Sequence, residues 1–150
     1  MGRDSIEPFL SFKDKYAVLL TLTSNEGSKD LQYIEEKGIP VYEKVLRLST
    51  KFKNPHKLMY VVGATKSENL KSIRNIVPDS FLLIPGVGAQ GGNLKDVVRN
   101  GINSNCGLIV NSSRGIIYAS KGNDFVEKVA EKASELQKEM SEYLKLYKII

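Results

Sequence analysis

The sequence predicts an α/β fold with a parallel sheet, and three observations carry that prediction. Four short apolar segments recur along the 150 residues, and amphipathic stretches with helical spacing follow them. The apolar segments are nearly continuous, which is typical of parallel strands that are buried on both faces. Glycine and small polar residues gather after the segments. Because α/β proteins bind ligands at the carboxyl ends of their strands, those residues are the first candidates for a site.

The first half of the chain supplies two of the predicted strands. Residues 16–22 are apolar and are followed by a polar stretch, which predicts a buried strand. The amphipathic segment 30–51 predicts a helix with a break at Gly38-Ile39-Pro40, since glycine and proline both disfavour a helix interior. The second apolar run, residues 58–62, predicts the next strand.

The second half repeats the same order of elements. Residues 67–76 predict a helix, because aliphatic residues fall on one face and Ser67 is suited to be its N-cap. Two further strands are predicted at 81–84 and 106–110, a short helix at Val97 and Val98, and a last helix at about 123–147. The pattern of strand, loop and helix, repeated in this way, favours parallel pairing.

Two architectures satisfy this pattern: a small open sheet of about four strands, or half of a (β/α)₈ barrel, which takes ~250 residues when whole. At 150 residues the chain is too short for a complete barrel. Residues 1–5 read as a loop and a helix entry with no strand before them. We therefore expect residues 1–150 to form a single domain, and the first strands of the fold to lie outside this chain.

Composition excludes several classes of protein. With 41% hydrophobic and 26% charged residues the chain is neither disordered nor a membrane protein, and no apolar run approaches a spanning helix. Its single cysteine, Cys106, and single histidine, His56, exclude an internal disulfide and paired Cys or His metal motifs. The net charge of +5 suits a small anionic ligand and does not by itself predict nucleic-acid binding. No signal peptide opens the chain, so a cytoplasmic setting is expected.

The stretch Pro85-Gly86-Val87-Gly88-Ala89-Gln90-Gly91-Gly92 is the most informative motif. Its glycines let the backbone approach a ligand and expose N–H groups, and a helix start follows, so both features favour a phosphate. A plain turn would rarely need so many glycines. The pattern Gly86-x-Gly88-x-x-Gly91 also satisfies the dinucleotide fingerprint. An NADP-binding open α/β domain therefore remains an alternative, with Arg114 serving the 2′-phosphate.

Polar residues after two other strands add to this site. Arg114 follows the fourth strand in Asn111-Ser-Ser-Arg-Gly115, and a guanidinium matches phosphate oxygens two at a time. In a barrel half, the third and fourth strands here would be strands seven and eight, whose loops often hold a phosphate. Thr23-Ser24-Asn25 closes the first strand, where a hydroxyl or amide could read a base or sugar, although these residues taken alone favour a helix N-cap or turn role.

Four motifs occur in one order and spacing, namely Thr23-Ser24-Asn25-Glu26-Gly27, Val61-Val62-Gly63-Ala64-Thr65, Pro85 to Gly92, and Ser112-Ser113-Arg114-Gly115. Together they resemble the orotidine 5′-phosphate decarboxylase family, in particular its longer bacterial branch. The resemblance runs from Met1 to about Ser120. It implies a (β/α)₈ barrel that works as a dimer without metal or organic cofactor. The implied reaction removes CO₂ from orotidine 5′-phosphate to give uridine 5′-phosphate in pyrimidine synthesis.

The resemblance also implies roles for individual residues. Ser24 would read the pyrimidine edge, and Gln90 would bridge the base carbonyl and the phosphate. Arg114, with the backbone around Ser113, would hold the phosphate, and Pro85 would shape the pocket wall. The glycines of the loop, namely Gly86, Gly88, Gly91 and Gly92, would line the phosphate end.

One family motif is absent. The family's catalytic lysine lies in Asp-x-Lys-x-x-Asp on an earlier strand, and no segment of this sequence has that spacing. We therefore expect this chain to be the C-terminal half of the barrel, to supply phosphate and pyrimidine recognition, and to need the N-terminal half for chemistry. An inactive phosphate-binding remnant is a further alternative.

Overall fold

The computed structural model describes residues 2–88 and 90–150. Four parallel strands form the main sheet: β1 (Ala17–Leu22), β4 (Leu58–Val62), β5 (Leu82–Pro85) and β6 (Leu108–Asn111). Two short strands, β2 (Glu35–Glu36) and β3 (Ile39–Pro40), form a separate antiparallel hairpin. The α-helices are α1 (Arg3–Leu10), α2 (Ser28–Leu31), α3 (Val41–Ser49), α4 (Leu70–Ile76), α5 (Leu94–Gly101), α6 (Ser113–Ile117) and α7 (Phe125–Leu146). Short 3₁₀ helices span Pro55–Lys57 and Ala64–Asn69.

All four predicted strands are present, while two of the predicted helices differ. The helix predicted at 30–51 is split into α2 and α3 by the hairpin, whose turn residues Lys37 and Gly38 have φ of 55° and 73°. That left-handed pair matches the twist of a tight hairpin. The prediction of Ser67 as an N-cap is wrong, because Ser67 lies inside a 3₁₀ helix and α4 begins at Leu70. None of the helices in the described residues is long and apolar enough to cross a bilayer.

The strands of the main sheet are ordered β1-β4-β5-β6, so each pairs with the next one along the chain. An open dinucleotide-binding sheet reverses its order at the point where the ligand binds. No such reversal occurs among the described residues, which removes the main support for the NADP-binding alternative. Consecutive parallel order is the arrangement of a (β/α)₈ barrel.

One face of the sheet is covered by helices. The residues that point to this side, including Leu58, Tyr60, Val62, Leu82, Ile84 and Leu108, are buried. They form one core with buried residues of the helices, namely Leu46 of α3, Leu70 and Ile73 of α4, and Val97 and Val98 of α5. Burying each such aliphatic side chain contributes about 1.5–3 kcal/mol, so this face carries most of the stability of the chain.

The opposite face of the sheet is open. The strand register places Leu20, Val61, Leu83 and Ile109 in one row across it. Leu20 is 61% exposed and Ile109 is 40% exposed. The prediction of strands buried on both faces is therefore wrong within this chain, although the apolar residues themselves are those that a barrel interior would use. We call this surface the open face.

Arg74 links three segments of the chain by hydrogen bonds, at the edge of the sheet opposite to the predicted site. Its guanidinium donates to the carbonyl oxygens of Gly101 and Ser80, both at 2.6 Å, and of Gly107 at 2.8 Å. Burial lowers the pKa of Arg74 to about 10, so the side chain stays charged at neutral pH. Three chain segments thus share one half-buried cation.

Candidate functional site

The loops that follow the four parallel strands meet at one edge of the sheet, and glycines allow them to touch. Gly63, after β4, lies so close to Ser24, after β1, that an added Cβ would sit 2.7 Å from the Ser24 backbone nitrogen. Gly92, after β5, packs against Ala64, and a Cβ there would lie 2.6 Å from the Gly86 carbonyl oxygen. Parallel strands bring their carboxyl ends to one edge, and these contacts join the loops into one rim.

A small cleft opens between the loop after β5 and the loop after β6. Its volume is about 90 Å³, which suits one group of a ligand and is well below the ~300 Å³ of a pocket for a whole small molecule. Its lining residues are Pro85, Gly86, Val87, Gln90, Asn111, Ser112, Ser113, Arg114 and Gly115. The structure therefore brings five of the predicted site residues together, namely Pro85, Gly86, Gln90, Ser113 and Arg114.

Two hydrogen bonds hold the walls of this cleft together. The hydroxyl of Ser112 donates to the carbonyl oxygen of Val87 at 3.0 Å, and the N–H of Gly86 donates to the carbonyl oxygen of Asn111 at 3.2 Å. Ser113 donates its hydroxyl to the side-chain oxygen of Asn111 at 2.9 Å. The loops after β5 and β6 are thus tied to one another before any ligand binds, which lowers the ordering cost of binding.

Arg114 is the cation of the cleft. Its side chain is exposed, and no carboxylate among the described residues forms an ion pair with it. Ser113, Arg114 and Gly115 also form the first turn of α6, where backbone N–H groups lack carbonyl partners within the helix. A free guanidinium beside such N–H groups favours an anion such as phosphate.

The glycine N–H groups of the loop after β5 are used within the protein, whereas the sequence predicted that they would be free to bind a phosphate. The N–H groups of Gly86, Gly88, Gly91 and Gly92 donate to carbonyl oxygens of Asn111, Gly92, Gly88 and Gly86, respectively. The expectation that these N–H groups are presented to a phosphate is therefore wrong. The glycines instead shape the loop, since Gly86, Gly88 and Gly91 have φ between 80° and 95°, where other residues are strained. Gly88 and Gly92 line a neighbouring groove against α7.

Ser24 lies at the end of β1, outside the small cleft. Its hydroxyl oxygen is buried against Gly63 and has no hydrogen-bond partner among the described residues. A buried unpaired hydroxyl costs about 1–3 kcal/mol, so the position favours a partner that the chain itself does not provide. Ser24 therefore lies on the same rim as the cleft but not in it. The loop after β4, which contains Gly63, separates Ser24 from the loop after β5 that forms one wall of the cleft.

Gln32 is a further residue at this rim, and no sequence motif pointed to it. Its side-chain oxygen accepts from the N–H of Thr23 at 2.8 Å, and its side-chain nitrogen donates to the Thr23 hydroxyl at 2.9 Å. These bonds fix the residue that precedes Ser24. Gln32 carries no motif and stands nine positions away from Thr23, so only the fold reveals the pairing.

Replacing Gly63 by alanine is expected to displace Ser24 and to lower the stability of the chain by about 1–3 kcal/mol, as overpacking does. The reason is steric, because the new methyl group would meet the hydroxyl and the backbone nitrogen of Ser24. Chemical denaturation measures the change. Gly27→Ala is the matched control, since Gly27 has a helical φ of −61° and a Cβ there meets no atom closer than 3.3 Å. Equal stability of both variants would contradict the packing described here.

Comparisons with known proteins point to one family. Residues 1–136 match the family described as "Orotidine 5'-phosphate decarboxylase / HUMPS family". A curated protein from Flavobacterium johnsoniae named orotidine 5'-phosphate decarboxylase is 56% identical over 144 residues, covering 96% of this chain and 53% of that protein. A protein of the same name from Bacteroides fragilis is 52% identical over 146 residues, covering 97% and 53%. The chain thus spans about half the length of these relatives.

Comparison with solved structures finds similar folds in proteins of related name. The Leishmania donovani UMP synthase is similar with a TM-score of 0.76 at 34% identity, covering 91% of this chain and 31% of that one. The Leishmania donovani OMP decarboxylase is similar with a TM-score of 0.72 at 31% identity, covering 87% and 50%. The predicted fold class, a (β/α)₈ barrel of which this chain supplies four strands and their helices, is confirmed.

Proposed function

The chain belongs to the orotidine 5′-phosphate decarboxylase / HUMPS family, and from that premise we propose that it is the phosphate- and pyrimidine-binding half of an orotidine 5′-phosphate decarboxylase. The reaction would convert orotidine 5′-phosphate to uridine 5′-phosphate and CO₂. The observation that carries the proposal is the cleft in which Pro85, Gln90, Ser113 and Arg114 converge.

Phosphate binding is assigned to Arg114 and the start of α6. The guanidinium is exposed and free of carboxylates within the described residues, so an incoming phosphate need not displace an ion pair. The adjoining volume of about 90 Å³ suits a phosphate-sized group. The glycines Gly86, Gly88, Gly91 and Gly92 are assigned the role of shaping the loop around that group.

Pyrimidine recognition is assigned to Ser24 and Gln90. Ser24 contributes an unpaired hydroxyl at the end of β1, and Gln90 contributes an amide at the cleft. An amide can donate and accept at once, which is what a bridge between a base carbonyl and a phosphate requires. Pro85 would form the wall between them, because it lies at the end of β5 on the same edge.

Chemistry at the reacting carbon is assigned to a companion segment that completes the barrel. The sequence has no Asp-x-Lys-x-x-Asp motif, so the general acid and the flanking carboxylates would come from the N-terminal half. Phosphate contacts far from the reacting carbon would organise the site and lower the barrier there. We extend the proposal to a homodimer of complete barrels in the cytoplasm, acting without a metal or an organic cofactor.

Replacing Arg114 by alanine is expected to weaken binding of uridine 5′-phosphate by about 10- to 150-fold, because a hydrogen bond to a charged group contributes roughly 1.5–3 kcal/mol. The measurement is calorimetric titration with uridine 5′-phosphate. It uses a complete barrel made from this chain and the part of a relative that this chain does not match. Binding of uridine, which has no phosphate, should change little.

Arg99→Ala is the matched control for this prediction. It removes the same charge from an exposed position at the end of α5, so it tests the general electrostatic effect alone. The proposal fails if Arg114→Ala weakens uridine and uridine 5′-phosphate equally, or if the control has the same effect as Arg114→Ala. Binding of NADP in place of uridine 5′-phosphate would favour the open-sheet alternative.

A further inference from the structure

We propose that Gln32 is a positioning residue for pyrimidine recognition, which acts through Thr23 on the hydroxyl group of Ser24. This inference rests on the proposed function, in which Ser24 reads the base. Gln32 lies directly after α2, in the segment that leads to the hairpin of β2 and β3, and so outside the motifs that follow the strands. In this role Gln32 affects binding of the base and has no part in holding the phosphate.

The backbone of Gln32 is held from two sides. Its N–H donates to the carbonyl oxygen of Ser28 at 2.8 Å, and its carbonyl oxygen accepts from the N–H of Tyr42 at 3.1 Å. The ring of the next residue, Tyr33, packs edge-on against the ring of Tyr42, with 5.7 Å between the ring centroids. The side chain of Gln32 thus extends from a fixed backbone, as the side chain of a residue that orients another must.

The side chain of Gln32 holds Thr23 by two hydrogen bonds and sets the direction of a third. Its amide oxygen accepts from the Thr23 N–H at 2.8 Å, and its amide nitrogen donates to the Thr23 hydroxyl at 2.9 Å. Because that hydroxyl accepts from Gln32, its own proton is free to be donated to the side-chain oxygen of Asn25 at 2.6 Å. Both chain neighbours of Ser24 therefore belong to one hydrogen-bond network that begins at Gln32.

Gly63 limits Ser24 from the other side. An added Cβ on Gly63 would lie 2.7 Å from the backbone nitrogen of Ser24, and the Gly63 N–H donates to the carbonyl oxygen of Leu22 at 2.8 Å. Ser24 is thus enclosed between the network of Gln32 and the loop after β4. Its hydroxyl has no partner among the described residues, so the position of its backbone decides where that hydroxyl is presented.

The small cleft assigned to the phosphate is held by different bonds. Its walls are joined by the bond from Ser112 to Val87 and by the bond from Gly86 to Asn111, and Gln32 is not among its lining residues. Loss of the Gln32 bonds should therefore move Ser24 and leave the cleft in place. The effect is expected on a ligand that carries a base and not on a sugar phosphate alone.

The test is calorimetric titration of the complete barrel described above with uridine 5′-phosphate and with ribose 5-phosphate, which lacks the base. Gln32→Met retains a side chain of similar length but cannot make the two hydrogen bonds to Thr23. It should weaken binding of uridine 5′-phosphate by about 2- to 12-fold, the effect of one neutral hydrogen bond, and change binding of ribose 5-phosphate by less than about 2-fold.

A second variant, Thr23→Val, keeps the N–H bond to Gln32 but loses the bonds of the hydroxyl. It should give a smaller loss in the same direction, and it carries the test if Gln32→Met does not fold. Tyr60→Phe is the structural control. It removes a buried hydrogen bond of 2.8 Å to Ser49 on the helix-covered side of the sheet, and it should leave both affinities unchanged.

A double variant separates positioning from a general loss of stability. The variant with both Gln32→Met and Ser24→Ala should bind uridine 5′-phosphate no more weakly than Ser24→Ala alone, because both changes remove the same contact with the base. The inference is overturned if these two losses add, if Gln32→Met and Thr23→Val leave the affinity for uridine 5′-phosphate unchanged, or if they weaken both ligands equally. Failure of the proposed function would be seen without any change at Gln32, because the barrel with no substitution would not bind uridine 5′-phosphate, and this inference would fall with it.

Discussion

Purified on its own, the 150-residue chain is expected to leave orotidine 5′-phosphate unconverted, and addition of a companion that carries Asp-x-Lys-x-x-Asp is expected to restore turnover. The chain has the small cleft proposed above to hold a phosphate, but it has no Asp-x-Lys-x-x-Asp motif. Loss of a positioned general acid alone lowers a rate by about 10²- to 10⁴-fold. An open sheet also leaves the reacting carbon in water, where charged groups stabilise a transition state far less.

The measurement is the decrease in substrate absorbance with the chain, with the companion, and with both together. A companion whose motif lysine is replaced by alanine is the control, because it completes the barrel without supplying the acid. Turnover by the chain alone at a rate similar to that of the mixture would show that the catalytic groups lie within residues 1–150. No turnover with any folded companion would favour the inactive phosphate-binding remnant.

The strands could be predicted from the sequence because each is a compact apolar run between polar residues. The segment 58–62 begins and ends as predicted, and the other three strands are shifted by one or two residues. The hairpin at Glu35–Pro40 could not be predicted by periodicity, because two-residue strands are too short to show alternation. A left-handed Lys37 before Gly38 decides the turn, and the identity of Lys37 gives no sign of it.

The site could be predicted in part for a similar reason. Arg114 and Gln90 follow strands in motifs that are legible in the sequence, and the parallel sheet brings them to one cleft. The use of the glycine N–H groups depends on which carbonyl oxygens face them, which is a property of the folded loop. Gln32 and Arg74 act through backbone partners that are distant in sequence, so their roles appear only when the segments have packed.

Replacing Arg74 by methionine is expected to destabilise the chain by about 3–5 kcal/mol, because three hydrogen bonds from a charged, half-buried group are lost and each such bond contributes roughly 1.5–3 kcal/mol. Methionine fills similar space but donates no hydrogen bond, so the carbonyl oxygens of Gly101, Ser80 and Gly107 would each lose a short bond. A buried acceptor that is left unpaired costs roughly 1–3 kcal/mol. For a chain of this length the melting temperature should fall by about 10 °C or more.

Two further variants separate the charge from the hydrogen bonds. Arg74→Lys retains the cation but cannot reach three carbonyl groups in fixed directions, so an intermediate loss is expected. Arg47→Met removes an exposed arginine whose partner Glu43 is one helical turn away at 3.2 Å, and such a pair contributes only about 0.3–0.5 kcal/mol. Unfolding by urea ranks the three variants. Equal stability of Arg74→Met and Arg47→Met would contradict this prediction. Water would then replace the three short hydrogen bonds of Arg74 at no cost in free energy, and the guanidinium would not stabilise the packing of α4, α5 and the start of β6.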